Sequence, residues 1–424
     1  MVTMSLNNKL KDNIDVYSLD NRIRVVFEQN KHLNSVTVGV WIGVGSRDEN
    51  CDNNGIAHMI EHMLFKGTKT MSAKQLAVRC AIIGGSLNAY TSKENTEFYC
   101  KTLPSCLKEG IDILGDMICN PKLDPEDLER EKGVVCEEID MYKDSPEDGV
   151  HEILQKKIWK KQPLGYLISG KKKNVKAFST EELRAFMDKY YVGENMVVSV
   201  AGNFNKKETL NWIKTAFEKV PTNNETFVSD RKTPSYNKAS FVKGKDIEQL
   251  HMNLAFEAPS FLDEDRYTAV ILNNILGSDV NSRLFQTVRE NNGLTYSVCS
   301  YPSSFSDTGL LHIYAAMNEH QYERTYDLVS NILRELNEKG ITSTELSNAK
   351  KQTIVEMSLN RDSTASRMSA NAKNVIYDIP WELFEDKIER INKVTKADVN
   401  KLIGKYLQME KMSMGIIGPV NLKI

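Results

Sequence analysis

Several kinds of protein are excluded by what the chain has little of. Cysteine is scarce: Cys51, Cys80, Cys100, Cys106, Cys119, Cys136 and Cys299 are odd in number and form no C-x-x-C pair. That argues against a disulfide framework or a cysteine zinc ribbon and for free thiols in a reducing, cytoplasmic compartment. Glycine and proline number 23 and 11 in 424 residues, too few for a fibrous or linker protein. Net charge is nearly absent, with 55 Lys and Arg against 57 Asp and Glu. There is then no bulk attraction to nucleic acid or to an anionic membrane. No run approaches the ~20 apolar residues that a bilayer span needs. The opening MVTMSLNNKLKDNIDVYSLD lacks the apolar stretch of a secretory signal, and its early acidic residues argue against a transit peptide.

What remains is ordinary globular material, 41% hydrophobic and 26% charged, enough for a sizeable core. The length suggests roughly two to four domains, and the chain looks duplicated. Lys189, Tyr190, Met196 and Gly202 correspond to Lys405, Tyr406, Met412 and Gly418 at a constant offset of 216. The helical pattern before them keeps that offset. Val175, Phe178 and Leu183 match Ile391, Val394 and Val399, with Ser179 and Thr395 as candidate N-caps. Between the halves, residues 221–241 are polar and aperiodic with two prolines, a candidate linker. The expected organisation is a first half over 1–220 and a homologous second half over 242–424.

Arg22–Glu28 and Ser35–Gly43 read as strands, and Ser86–Thr91 with Thr96–Leu103 as a hairpin pair. Gly55–Phe65 and Ser72–Ile83 read as helices, the second stopped by Gly84 and Gly85. Longer helical patterns follow at Leu107–Ile118, Asp124–Tyr142 and His151–Trp159, and Met196–Ala201 closes the half as a strand. Strands segregated from helical runs predict an α+β fold, each half a mostly antiparallel sheet with helices packed on it.

The sharpest local signal is His58-Met59-Ile60-Glu61-His62. At about 100° per residue, the two histidines and Glu61 project within about 100° of one helix face. Two imidazoles one turn apart can share a metal ion, and Glu61 beside them can take a proton from water. The order H-x-x-E-H is that of the inverted zincins. Met59, Ile60, Met63, Leu64 and Phe65 make the segment apolar, so burying these polar groups without a partner would be costly. Two imidazoles leave a tetrahedral site one protein ligand short, and a carboxylate would supply it. The helix around 126–140 is a source. Glu131 and Glu138, seven apart, share a face, and Glu137 points about 100° away from Glu138. Such a pair of glutamates is also what a charged, solvated helix face contains.

Four segments resemble the pitrilysin/insulinase family of zinc peptidases, in its short processing-peptidase-like bacterial form. They are GIAHMIEHMLFKGT at 55–68, GGSLNAYTSKENT at 84–96, EKGVVCEEI at 131–139 and PLGYLISG at 163–170. The resemblance covers nearly the whole chain. Glu138 follows His62 by 76 residues, the family's spacing to its third ligand, which implies one zinc held by His58, His62 and Glu138. Glu131 is implied as the carboxylate that orients a ligand histidine. Ser86, Leu87, Asn88, Ala89, Tyr90 and Thr91 are implied as the strand that receives an extended peptide. In SRLFQTVRENNGLTYS at 282–297 the family's arginine and tyrosine, seven apart, fall on Arg289 and Tyr296. A cation and a phenol there suit substrate and oxyanion.

In the second half Val270, Asn273 and Asn274 align with His58, Glu61 and His62, so that half is expected to be non-catalytic. The implied protein is a zinc endopeptidase acting on peptides or unfolded segments, assembled as a homodimer whose site is completed by Arg289 and Tyr296 of the same chain or of the other. A dedicated leader peptidase shares this chemistry. A non-catalytic scaffold subunit is the alternative of a different class, and the intact H-x-x-E-H argues against it.

Overall fold

The structure, a computed structural model, describes residues 14–222 and 230–419. The candidate linker at 221–241 therefore lies partly outside the described residues. Among the described residues eleven strands form two sheets: β1 Ile14–Ser18, β2 Arg24–Gln29, β3 Val36–Ile42, β4 Ser86–Thr91, β5 Thr96–Thr102, β6 Met196–Gly202, β7 Ser240–Gly244, β8 Gln249–Ala258, β9 Thr295–Ser304, β10 Gly309–Asn318 and β11 Ser413–Gly418. The first sheet has the order β1-β2-β6-β3-β5-β4 and the second β7-β11-β8-β10-β9. Each contains one parallel pair, β2 with β6 and β7 with β11, and is otherwise antiparallel. Apart from β1 the two orders coincide, strand for strand. This is the expected α+β fold with two similar halves.

The offset of 216 has a structural counterpart. Helix Thr180–Tyr190 precedes β6, and helix Lys396–Tyr406 precedes β11. Ser179 and Thr395 are their N-caps, each closing a capping box with Glu182 or Asp398. Val175, Phe178, Leu183, Ile391, Val394 and Val399 are all buried.

The chain forms two compact units, and they are not the two halves of the sequence. The first comprises residues 1–140, 166–231 and 359–383; the second comprises 141–165, 232–358 and 384–424. Each unit thus takes a segment from the other's stretch of chain. In the first unit, helices Ile56–Leu64 and Leu107–Cys119 join the main core on one face of the sheet. Helix Thr364–Ile376 covers the other face, where Met368, Ala372 and Val375 pack on Val26, Trp41, Val197 and Ala201. A Cβ at Gly39 would collide with Met368, so glycine permits the close approach. Polar ties fix the register: Thr37 and Thr364 share a 2.8 Å hydrogen bond, and Ser199 donates to Met368 O at 2.8 Å. With both faces covered, every residue of β3 and β6 is buried.

In the second unit, helix Pro146–Ile158 covers the equivalent strands β8 and β11. The sequence reading starts this helix at His151. It begins one turn and more earlier because Ser145 caps it, accepting from Asp148 N at 3.2 Å, and Pro146 occupies the first turn.

Candidate metal centre

The histidine helix Ile56–Leu64 is held by apolar burial. Ile56, Met59, Ile60, Met63 and Leu64 are at most 2% exposed. Each contributes roughly 1.5–3 kcal/mol, which offsets the desolvation of the polar face. Its N-terminus is capped from a distance. Glu49 accepts from Gly55 N at 2.7 Å, from Ala57 N at 2.9 Å and from Asn54 Nδ2 at 2.8 Å. Burial raises the Glu49 carboxyl to about 7, those hydrogen bonds opposing it. Gly55 has φ of 104° and touches Ser169 and Gly170, where a Cβ would come within 2.9 Å of backbone. This packing, with Asn54 Nδ2 donating to Leu167 O at 2.8 Å, explains the neighbouring LISG stretch as a support for the helix start.

His58, His62 and Glu138 converge. They are the single group among the described residues in which three metal-binding side chains offer ligand atoms within 4.8 Å of one another. Glu138 Oε2 lies 3.7 Å from His58 Nε2 and 3.4 Å from His62 Nε2. Donors on a tetrahedral zinc, each about 2.0–2.1 Å away, stand about 3.3 Å apart, so this spacing and donor set fit the ion. Glu137, one residue earlier, is exposed. Glu131 Oε1 meets His62 Nδ1 at 2.9 Å, which leaves Nε2 of that ring turned to the cluster. Lys66 in turn holds Glu131 Oε2 at 2.5 Å. His58 Nδ1 is buried and has no hydrogen-bond partner among the described residues.

The electrostatics call for a cation. Burial pushes His58 down to about 4, helped by neighbouring His62 and opposed by Glu138. At His62 burial also acts downward, but hydrogen bonds to Glu131 and Glu138 outweigh it and carry the ring up to about 9. The Glu131 carboxyl is held below its ordinary value: His62 and Lys66 overcome its desolvation.

Glu61 is raised by burial, with Thr91 opposing that through a short hydrogen bond from its hydroxyl to Oε2. Thr91 ends β4, the edge strand of the first sheet, paired through β5 on one side only. Ser86, Asn88 and Tyr90 are exposed, Leu87 and Ala89 half-buried, and Thr91 buried. The six residues of the implied peptide strand thus form a sheet edge running up to Glu61.

Arg289 and Tyr296 belong to the second unit. The guanidinium lies 4.4 Å from the Tyr296 ring centroid and 4.7 Å from that of Phe285, and Nη1 donates to Tyr296 O at 2.7 Å. Tyr296 is 80% exposed. Val270 is exposed on helix Arg266–Asn273, and Asn273 and Asn274 are buried. The sequence reading misses Glu49, Lys66 and the role of Thr91. Lys66 was within reach of pattern reasoning, one turn past His62. Glu49 and Thr91 are brought in by tertiary packing.

Comparison with known proteins identifies the family. Residues 24–172 match the model of the insulinase family, peptidase family M16, and residues 177–353 match the M16 inactive domain. The chain belongs to that family. It is 38% identical over 406 residues to an uncharacterized zinc protease of Bacillus subtilis, covering 95% of this chain and 98% of that one. An uncharacterized zinc protease of Streptomyces coelicolor is 32% identical, over 95% and 89% of the two chains. Among solved structures, a protease from Helicobacter pylori superposes with a TM-score of 0.89 at 21% identity, over 96% and 99%. A chain of complex III2 from Candida albicans does so with 0.83 at 18%, over 96% of each. The likenesses to solved structures carry the fold alone. Together with the zinc protease relatives, the family supports a zinc metallopeptidase. No described helix is long and apolar enough to cross a membrane.

Proposed function

We propose that the protein is a zinc-dependent endopeptidase that cleaves peptides or unfolded segments entering in extended form. The observation that carries this is the convergence of two imidazoles and one carboxylate at ligand spacing, with a second, half-buried carboxylate on the same helix face. His58, His62 and Glu138 would hold one zinc ion, which when bound makes water more acidic and a carbonyl more electrophilic. Glu61 takes the proton of the attacking water and passes it to the leaving amine. Its raised affinity for protons and its hydrogen bond from Thr91 suit both halves of that transfer. Glu131 orients His62. Residues Ser86–Thr91 offer main-chain hydrogen bonds to the substrate, giving affinity with little sequence selectivity. Arg289 and Tyr296 hold the substrate and donate to the carbonyl oxygen as it gains charge.

The active form in this reading is a homodimer in the cytoplasm. Mixing Glu61→Gln chains with Arg289→Ala/Tyr296→Phe chains tests whether the pair acts across it. Composite sites would restore up to about a quarter of wild-type activity under statistical mixing, and no recovery means that the pair serves its own chain. The central test is cleavage of fluorogenic peptides of graded length with and without a chelator. Chelator-sensitive cleavage of the longer peptides is expected. Metal-loaded protein inert on all of them would favour the non-catalytic scaffold reading.

A further inference from the structure

A cavity in the first unit is lined by none of the metal ligands. It has a volume of about 180 Å³. A cavity of about 150 Å³ with apolar walls accommodates benzene, so there is room for one ring and a short tail. Part of the lining is apolar: Ile118, Leu123, Met187 and Val220, all nearly fully buried. The rim is cationic. Lys69, Arg184 and Lys219 stand around it, against the single carboxylate of Asp188. Arg184 is anchored there through Nη2, which donates to Lys122 O at 2.8 Å. A concave site with charges mainly of one sign concentrates counter-ions.

Two features tie this cavity to the metal centre. Lys69 lies in the stretch that follows the histidine helix, fastened by Lys69 N donating to Asn120 O at 2.8 Å. Tyr191 forms part of the wall, and its buried hydroxyl has no hydrogen-bond partner among the described residues. Burial raises that phenol, and the Glu61 carboxylate nearby raises it further.

We propose that this cavity is a binding site for a small organic monoanion, a carboxylate carrying an apolar body about the size of one aromatic ring. The ring enters between Met187, Leu123 and Val220, and the carboxylate stays at the rim with Arg184, Lys219 and Lys69. A second negative charge on the ligand would meet Asp188.

The test is calorimetric titration of the full-length protein with 3-phenylpropionate, 3-phenylpropanol and acetate. The acid should bind saturably with one site per chain. The alcohol, which lacks the charge, and acetate, which lacks the ring, should each bind at least about tenfold more weakly. Arg184→Gln and Lys219→Gln alter exposed side chains and should leave the melting temperature unchanged. Each should weaken the acid by about three- to tenfold and leave the alcohol unaffected. Equal affinity for acid and alcohol would overturn the proposal. So would wild-type affinity in both variants, or the absence of saturable heat with the acid up to about 20 mM, where even a weak site of this size would respond.

Discussion

Five of the seven histidines fall into two clusters, one in each unit, and their partners set them apart. His58 and His62 face the carboxylates Glu131 and Glu138. In the second unit, His151, His251 and His312 lie between helix Pro146–Ile158 and strands β8, β9 and β10, and their hydrogen-bond partners are neutral. Asn253 bridges two of them: its Nδ2 donates to His151 Nδ1 at 2.8 Å, and its Oδ1 is 3.2 Å from His312 Nδ1. Tyr301 stacks on His312 with centroids 5.1 Å apart, and Tyr314 Oη meets His251 Nδ1 at 2.8 Å. Burial drives His151 down to about 4 against the opposing charge of Asp148, and drives His312 to about 3, helped by His151. One cluster gathers negative charge beside its imidazoles and fits a cation. The other gathers phenols and an amide around imidazoles kept neutral, and serves packing. Imidazoles crowded together do not make a metal site; the carboxylates beside them do.

That contrast can be broken experimentally. The largest effect is expected at Glu61. Glu61→Gln should retain the metal and lose roughly 10²–10⁴-fold in turnover, since general-base catalysis is worth that much. A metal-loaded variant with near wild-type turnover removes Glu61 from the mechanism. Next is the carboxylate that defines the first cluster. Glu138→Gln should lower zinc occupancy, measured by elemental analysis, while Glu137→Gln leaves it at one equivalent per chain. Equal loss from both, or none from either, takes Glu138 out of the site. Glu131→Gln should act more mildly, weakening the metal by about 10- to 100-fold, the usual cost of losing an orienting partner. Replacing His151 or His312 by Gln should not change zinc content at all.

The smallest effect sharpens the comparison from the second unit. In the unfolded chain these histidines titrate near 6.5, and in the native protein far lower. Above about pH 6.5 neither state binds the proton and the native state keeps its full stability. As pH falls below that, the unfolded chain takes up protons that the native state refuses, so stability drops towards about pH 4. The melting temperature should fall between about pH 7 and about pH 5, and fall less in His312→Gln and in His151→Gln. An unchanged slope in both variants would mean that these imidazoles do not govern acid sensitivity.

Legibility in the sequence follows distance along the chain. His58, Glu61 and His62 sit within one turn and a fraction of a helix, so spacing alone placed them on a common face. Glu131 and Glu138 were visible as a pair on one face, but choosing Glu138 needed the resemblance, because helical periodicity does not say which helix faces which. Ser179 and Thr395 were readable as caps because a capping box is complete within four residues. The Glu49 cap, the Thr91 hydroxyl and the His151, His251 and His312 cluster join residues that only packing brings together. The exchange of helices was invisible for the same reason. Each has an ordinary amphipathic pattern, which says that a face will be buried and not against what.

That exchange has a consequence for synthesis. The last strand of the first sheet ends at Gly202, and the helix that covers its second face begins at Thr364, about 160 residues later. At roughly 5–20 residues per second, the ribosome needs roughly 8–30 s to make that stretch. Throughout it Val26, Trp41, Val197 and Ala201 form an oily surface on the nascent chain, in need of a chaperone or of speed. A gene cut at the linker would make this permanent. Each fragment would lack the helix that completes its sheet and would carry in its place a helix made for the other, so the two pieces should become soluble only when made together.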